Sequence, residues 1–132
     1  MIEVYIDGAS AGNPGPSGAG IFMKGNGETA CYSIPLGILN NHEAEFEALI
    51  KALRLCLEKE YRVVSFRTDS QLVSRAIEKE FVKNKVFIPY FEEALSLIEN
   101  FDLFFIKWIP NTENKKADQL AREAIRKNTE KR

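Results

Sequence analysis

At the start of the chain Ile2, Val4 and Ile6 alternate with Glu3, Tyr5 and Asp7, the period-2 pattern of a strand with one buried face. The strand is expected to end at Asp7. The run that follows, Gly8-Ala9-Ser10-Ala11-Gly12-Asn13-Pro14-Gly15-Pro16, is dense in residues that punctuate backbone and reads as a loop. It leads into a second strand, Ala19-Gly20-Ile21-Phe22-Met23, and Gly25-Asn26-Gly27 then makes a hairpin turn to a third, Thr29 to Ile34, closed by Pro35. Three strands joined by short turns predict an antiparallel meander.

After Asn40-Asn41 the period changes. Phe46, Leu49, Ile50, Leu53, Cys56 and Leu57 recur at helical spacing, which predicts a helix from His42 to about Glu58 with Asn41 as its cap. The short β-branched run Val63-Val64-Ser65-Phe66-Arg67-Thr68 predicts a fourth strand. It passes through Asp69-Ser70 into a helix carrying Leu72, Val73, Ala76 and Ile77. Pro89 opens a further helix with Phe91, Ala94, Leu95 and Ile98 on one face. Leu103 to Ile109 forms the last strand, whose Phe104 and Trp108 are expected in the core of a central strand. Ala117, Leu120, Ala121 and Ala124 stripe a final helix that frays into a basic tail, Arg126-Lys127 to Lys131-Arg132. A meander followed by alternating helices and strands implies an α/β fold, a mixed sheet with parallel crossovers covered by helices.

At 132 residues, 45% hydrophobic and 28% charged, the sequence suits a single globular domain over 1–132. The longest apolar runs fall far short of the roughly 18 residues of a spanning helix, and no basic leader segment is visible, so no membrane partner is expected. Cys31 and Cys56 lack metal-ligand spacing and read as reduced thiols, which fits a cytoplasmic setting. With 18 Lys+Arg against 19 Asp+Glu the net charge is -1. Any polyanion must therefore be bound by local charge.

Four carboxylates fall at element junctions: Asp7, Glu45, Asp69 and Asp118. Taken singly each has a bland explanation, and Asp69 alone reads as a helix cap. Taken together they would repel and raise one another's pKa unless a cation joined them. Hard oxygen donors suit Mg²⁺ or Mn²⁺, and two such ions about 4 Å apart can activate water and stabilise the leaving oxygen of a phosphodiester.

These residues lie in motifs that resemble type 1 ribonuclease H over nearly the whole chain. Tyr5-Ile6-Asp7-Gly8 with its glycine-rich continuation resembles the family's first-strand aspartate and loop. Asn40-Asn41-His42-Glu43-Ala44-Glu45 resembles the Asn-rich helix start, Thr68-Asp69-Ser70-Gln71-Leu72-Val73 the strand-to-helix Asp-Ser motif, and Asn114-Lys115-Lys116-Ala117-Asp118 the last-helix motif. The resemblance implies a five-stranded ribonuclease H-like sheet flanked by helices. It also implies an endonuclease that cuts the RNA strand of RNA–DNA hybrids with two Mg²⁺ or Mn²⁺ ions, leaving 5′-phosphate and 3′-hydroxyl ends. Asp7, Glu45, Asp69 and Asp118 would be catalytic and metal-holding. Asp7 would lie between the ions, Glu45 and Asp69 on the nucleophile side, and Asp118 near the leaving group. Asn13, Asn41 and Gln71 match positions that read RNA 2′-hydroxyls, a task suited to amides that both donate and accept. Turn and cap chemistry is the coexisting reading for Asn13 and Asn41. Asn40 matches a threonine that helps bind a DNA phosphate.

Glu43 and Glu47 point away from Glu45 around the helix and read as solvated surface acids. The chain departs from many family members in two places. The loop Ile109-Pro110-Asn111-Thr112-Glu113-Asn114 is short and carries no histidine, and the only histidine is His42. His42 either bonds cap-region backbone or approaches Glu45, while Glu113 is the loop residue able to substitute as an accessory. Arg122 either contacts the scissile phosphate or pairs with Asp118 one turn away. The basic protrusion is reduced to a linker with Lys79, Lys83 and Lys85, which predicts weak hybrid affinity. A catalytically weak or inactive hybrid-binding protein and a metal nuclease with another nucleic-acid substrate are the competing readings. No obligate protein partner is evident.

Overall fold

The computed structural model describes residues 1–130; Lys131 and Arg132 of the expected basic tail lie outside the described residues. Five strands form one mixed sheet in the order β3-β2-β1-β4-β5. They are β1 (Ile2–Ser10), β2 (Gly15–Gly25), β3 (Glu28–Leu39), β4 (Val63–Thr68) and β5 (Leu103–Trp108). The helices are α1 (Asn41–Glu58), α2 (Gln71–Lys79), α3 (Ile88–Ile98) and α4 (Lys115–Glu130), with single 3₁₀ turns at Lys85–Phe87 and Asn111–Glu113. The β1–β2–β3 meander is antiparallel, and β1–β4 and β4–β5 pair in parallel. This is the expected architecture. The expected hairpin is also present: Gly25 pairs with Glu28, and Asn26 and Gly27 both take positive φ, as a two-residue primed turn requires.

Val4, Ile6, Ile21, Phe46, Leu49, Leu53, Val64 and Phe66 are fully buried between the sheet and α1, a cluster whose transfer from water drives the fold. On the opposite face α4 packs on β2, β3 and β1. Both layers come unusually close at glycines. A Cβ on Gly8 would lie 2.1 Å from the Ala44 carbonyl oxygen of α1, and one on Gly20 would lie 2.0 Å from the Ala117 carbonyl oxygen of α4. Backbone therefore meets backbone at both points, which only glycine permits.

Several expectations are corrected by the structure. The first strand continues past Asp7 to Ser10, because the small residues Gly8, Ala9 and Ser10 pair in register with Ala19, Gly18 and Ser17. The glycine-rich run is thus mostly strand, with a tight connection closed by the Ala11 N–H to Pro16 carbonyl bond of 2.8 Å. The third strand is not closed by Pro35; it runs to Leu39 through a register shift opposite Ser17 and Gly18. A proline is tolerated there because β3 is an edge strand whose outer N–H groups need no partner. Asn40, rather than Asn41, caps α1: its side chain accepts from Glu43 N–H at 2.8 Å, and the Glu43 carboxylate accepts from Asn40 N–H at 3.1 Å. That reciprocal pair is a capping box. Glu43 also accepts from the Tyr90 hydroxyl at 2.9 Å, tying α3 to the start of α1, so it is not a solvated acid. Glu47 is half-buried, and burial raises its pKa. β5 is an edge strand, and Trp108 is 44% exposed rather than in the core.

Replacing Gly20 with alanine is expected to push α4 away from β2 and to cost about 1–3 kcal/mol, the usual range for overpacking a tight contact. Urea unfolding should place the variant's midpoint below that of the wild type. An unchanged midpoint would mean that α4 yields without cost.

Candidate active site

The four acids named from the sequence come to one place by way of the strand register. Ile6 pairs with Thr68 in the parallel β1–β4 ladder, so Asp7 and Asp69 are the next residues on neighbouring strands. Asp7 itself pairs with Gly20, the residue against which Ala117 of α4 rests, and this brings Asp118 over β1. Gly8 against Ala44 brings Glu45 in from the other layer. Each acid is thus adjacent in sequence to a backbone contact that fixes it.

The electrostatics follow from this crowding. Burial first, then the charges of Asp69 and Asp118, push the Asp7 carboxyl up to about 8. Burial also raises Glu45, opposed by hydrogen bonds from His42 and Ser70. Asp69 is raised by burial and by Asp118, opposed by a hydrogen bond from Asn114. Asp69 is not the cap of α2; Ser70 is, its hydroxyl accepting from Val73 N–H at 3.1 Å, which leaves the Asp69 carboxylate free for the cluster. As the side chains stand, no group of three or more Asp, Glu, His or Cys among the described residues is spaced to hold a metal ion.

Asn114 is the residue that sequence reasoning passed over. It is 1% exposed, and its amide donates to the Ile6 carbonyl at 2.8 Å and to Asp69 Oδ2 at 3.4 Å, while its Oδ1 has no protein partner. One side chain thus ties β1, at the residue before Asp7, to Asp69 and to the first turn of the helix that carries Asp118. The available signal was its place four residues before Asp118, where its carbonyl accepts the first bond of α4 from Asp118 N–H.

His42 does not bond backbone; its Nδ1 lies 2.9 Å from Glu45 Oε1, with the ring edge-on to Phe87. Arg122 makes the i,i+4 pair with Asp118 at 3.0 Å. Asn13, in the β1–β2 connection, and Asn41 and Gln71, in the first turns of α1 and α2, are exposed. Asn40 is committed to its capping box. Glu113 is exposed in the turn before α4 and borders a hollow with Tyr5, Phe22 and Lys24. Trp108 donates from its indole N–H to the Asp69 carbonyl at 3.1 Å. Lys79, Lys83 and Lys85 are exposed on the α2–α3 connection.

In the metal-free chain Asp7 keeps its proton to about pH 8, whereas unfolded it would release it near the ordinary 3.8. The folded state binds more protons across that window, so stability is full below it and declines as the pH rises toward 8. Two carboxylates about 4 Å apart repel by up to about 4 kcal/mol at an effective dielectric of 20, reduced by protonation and relaxation to about 1–2 kcal/mol. Asp7→Asn should therefore melt higher than wild type in chelator, with the gap widening from pH 5 to pH 8. Divalent ions should stabilise the wild type more than the variant. A variant that melts lower at both pH values would show that these carboxylates do not share one site.

Comparison with known proteins agrees with this geometry. A family profile described as "Reverse transcriptase-like" matches residues 5–124. The protein named "Putative hydrolase EbsB" of Enterococcus faecalis is 43% identical over 96% of this chain and 96% of its own length. A ribonuclease H of Pelobacter propionicus is 32% identical over 94% of this chain and 84% of its own. Among solved structures, RNase H1 of the halophilic archaeon Halobacterium salinarum superposes with a TM-score of 0.89 at 33% identity, covering 96% of this chain and 98% of that one. LC11-RNase H1 in complex with RNA/DNA hybrid gives 0.87 at 32% identity, covering 96% and 98%. With the same sheet order, the same helices and these relatives matched nearly end to end, the chain belongs to the ribonuclease H family and has the type 1 fold.

Proposed function

We propose that this protein hydrolyses the RNA strand of RNA–DNA hybrids with two Mg²⁺ or Mn²⁺ ions, giving 5′-phosphate and 3′-hydroxyl ends. The observation that carries the reading is the state of Asp7, a half-buried carboxyl driven up to about 8 by burial and by three neighbouring acids. A cluster that destabilises its own charged form is costly as structure and useful as a cation site. The hard-oxygen donor set supports Mg²⁺ or Mn²⁺, cations that take carboxylate oxygens together with waters and substrate phosphate oxygens. Asp7, Glu45, Asp69 and Asp118 would hold the ions. Bound there, the ions supply Lewis acidity and an activated water.

The chain's own side chains supply position. Asn114 and the Trp108 indole hold Asp69 from two sides, one at the carboxylate and one at the backbone. His42 holds one Glu45 oxygen, and Arg122 holds one Asp118 oxygen. The exposed amides of Asn13, Asn41 and Gln71 are suited to 2′-hydroxyls, which distinguish RNA from DNA at equal shape. Asn40, engaged in its capping box, can offer a phosphate only its remaining amide donors. The hybrid-bound structure of LC11-RNase H1, similar over 96% of this chain, supports hybrid as the ligand class. Hybrid alone as partner, and a cytoplasmic site of action, complete the proposal.

Cleavage of a labelled hybrid, run beside double-stranded RNA and DNA, is expected to stop with chelator and to return with Mg²⁺ or Mn²⁺. Asp69→Asn should lower it by orders of magnitude, since an amide cannot balance the ion charge. Equal cleavage by the wild type without divalent ion would sink the assignment. A wild type that binds hybrid but leaves it intact with either metal would favour the non-catalytic reading instead.

Phosphate contact is assigned to the exposed Lys83 and Lys85. Their joint replacement by alanine should weaken hybrid binding and flatten its salt dependence by up to about two units of slope. An unchanged slope would return both lysines to the solvated surface.

A further inference from the structure

Trp108 is the only tryptophan in the chain, and 44% of it is exposed. It ends β5 opposite Thr68, one residue before Asp69 on the neighbouring strand. Its indole N–H donates to the Asp69 carbonyl at 3.1 Å, so the ring's one polar atom is satisfied by the protein and its apolar surface is left to solvent. Gln71, two residues after Asp69 at the start of α2, is exposed. An anchored aromatic plate beside a carboxylate cluster, flanked by an amide, is a fixed contact surface in continuity with the proposed cleavage site.

We infer that Trp108 is a substrate-binding residue whose exposed ring packs on a ribose of the RNA strand next to the carboxylates. The inference rests on the hybrid reading above. In a duplex the bases are stacked on one another, and the wide, shallow minor groove presents sugar edges and 2′-hydroxyls. A flat ring at the side of the cluster therefore meets a sugar rather than a base. Its neutrality also fits: beside four acids, an indole adds contact area without adding a charge.

Because the chain has a single tryptophan, its fluorescence reports this contact directly. Hybrid titrated into the wild type in chelator at low salt, where phosphate contacts still drive binding, is expected to change the emission saturably, with the same midpoint as anisotropy of a labelled hybrid. Trp108→Ala should raise Kd and KM about tenfold, with kcat falling far less, within the range that aromatic contacts to nucleic acid contribute. Trp108→Phe keeps a ring and loses the N–H. It should keep most of the affinity if the ring is what touches substrate.

If Trp108→Phe falls as far as Trp108→Ala, the residue acts only by anchoring Asp69, and the inference is overturned. It is also overturned if the emission stays silent while wild type binds and cuts hybrid, or if Trp108→Ala leaves hybrid affinity intact and abolishes self-association instead. A wild type that binds no hybrid at all would overturn the proposed function first and this inference with it.

Discussion

Two backbone contacts govern the arrangement of this molecule, Gly8 of β1 against Ala44 of α1 and Gly20 of β2 against Ala117 of α4. Each lies beside one of the acids. Gly8 follows Asp7 and Ala44 precedes Glu45, while Gly20 pairs with Asp7 and Ala117 precedes Asp118. The two layers that flank the sheet are thereby drawn in at the same point of β1. Asp69 needs no such device, since the parallel register already sets it beside Asp7. A side chain at either glycine would separate the acids, and the sheet order would be the same while the site was lost.

That closeness has an electrostatic cost, carried mainly by Asp7. The surrounding polar groups offset part of it without adding positive charge at the centre. Asn114 donates to Asp69, Ser70 and His42 oppose the rise of Glu45, and Arg122, paired with Asp118, is largely exposed. A buried arginine among the acids would have neutralised the cluster and closed it to other cations. The arrangement keeps the carboxylates together and leaves their charge available.

The sequence carried the elements well wherever one period dominated. The apolar spacing of Phe46, Leu49, Ile50 and Leu53 located α1, and Asn26-Gly27 located the hairpin. It was weaker wherever the answer depended on a neighbour in space. Gly8 to Ser10 look like loop until their partners Ala19, Gly18 and Ser17 are known. Asn40 and Asn41 are chemically the same cap, and the choice falls to Asn40 because Glu43 stands three residues on to complete the box. Trp108 reads as core because the alternation of β5 does not say whether the strand is central or at an edge. The four acids were legible through motif resemblance, and Asn114 was legible only as part of a motif. Its function depends on the Ile6 carbonyl, 108 residues away.

The surface around the cluster separates two problems that a polyanionic substrate poses. An acidic site repels phosphate, and a chain of net charge -1 has no general attraction with which to overcome it. Exposed cations lie at Lys83 and Lys85 on the α2–α3 connection and at Arg122 and Arg126 along α4, with Arg122 paired to Asp118. Asn13, Asn41, Gln71 and Trp108 are exposed and carry no charge. On the proposed reading the exposed cations attract the backbone and the neutral side chains read the sugars, with only Arg122 also paired to one of the acids. Divalent ions then become the element that converts a repulsive centre into an attractive one, and binding of metal and of hybrid reinforce each other through charge alone.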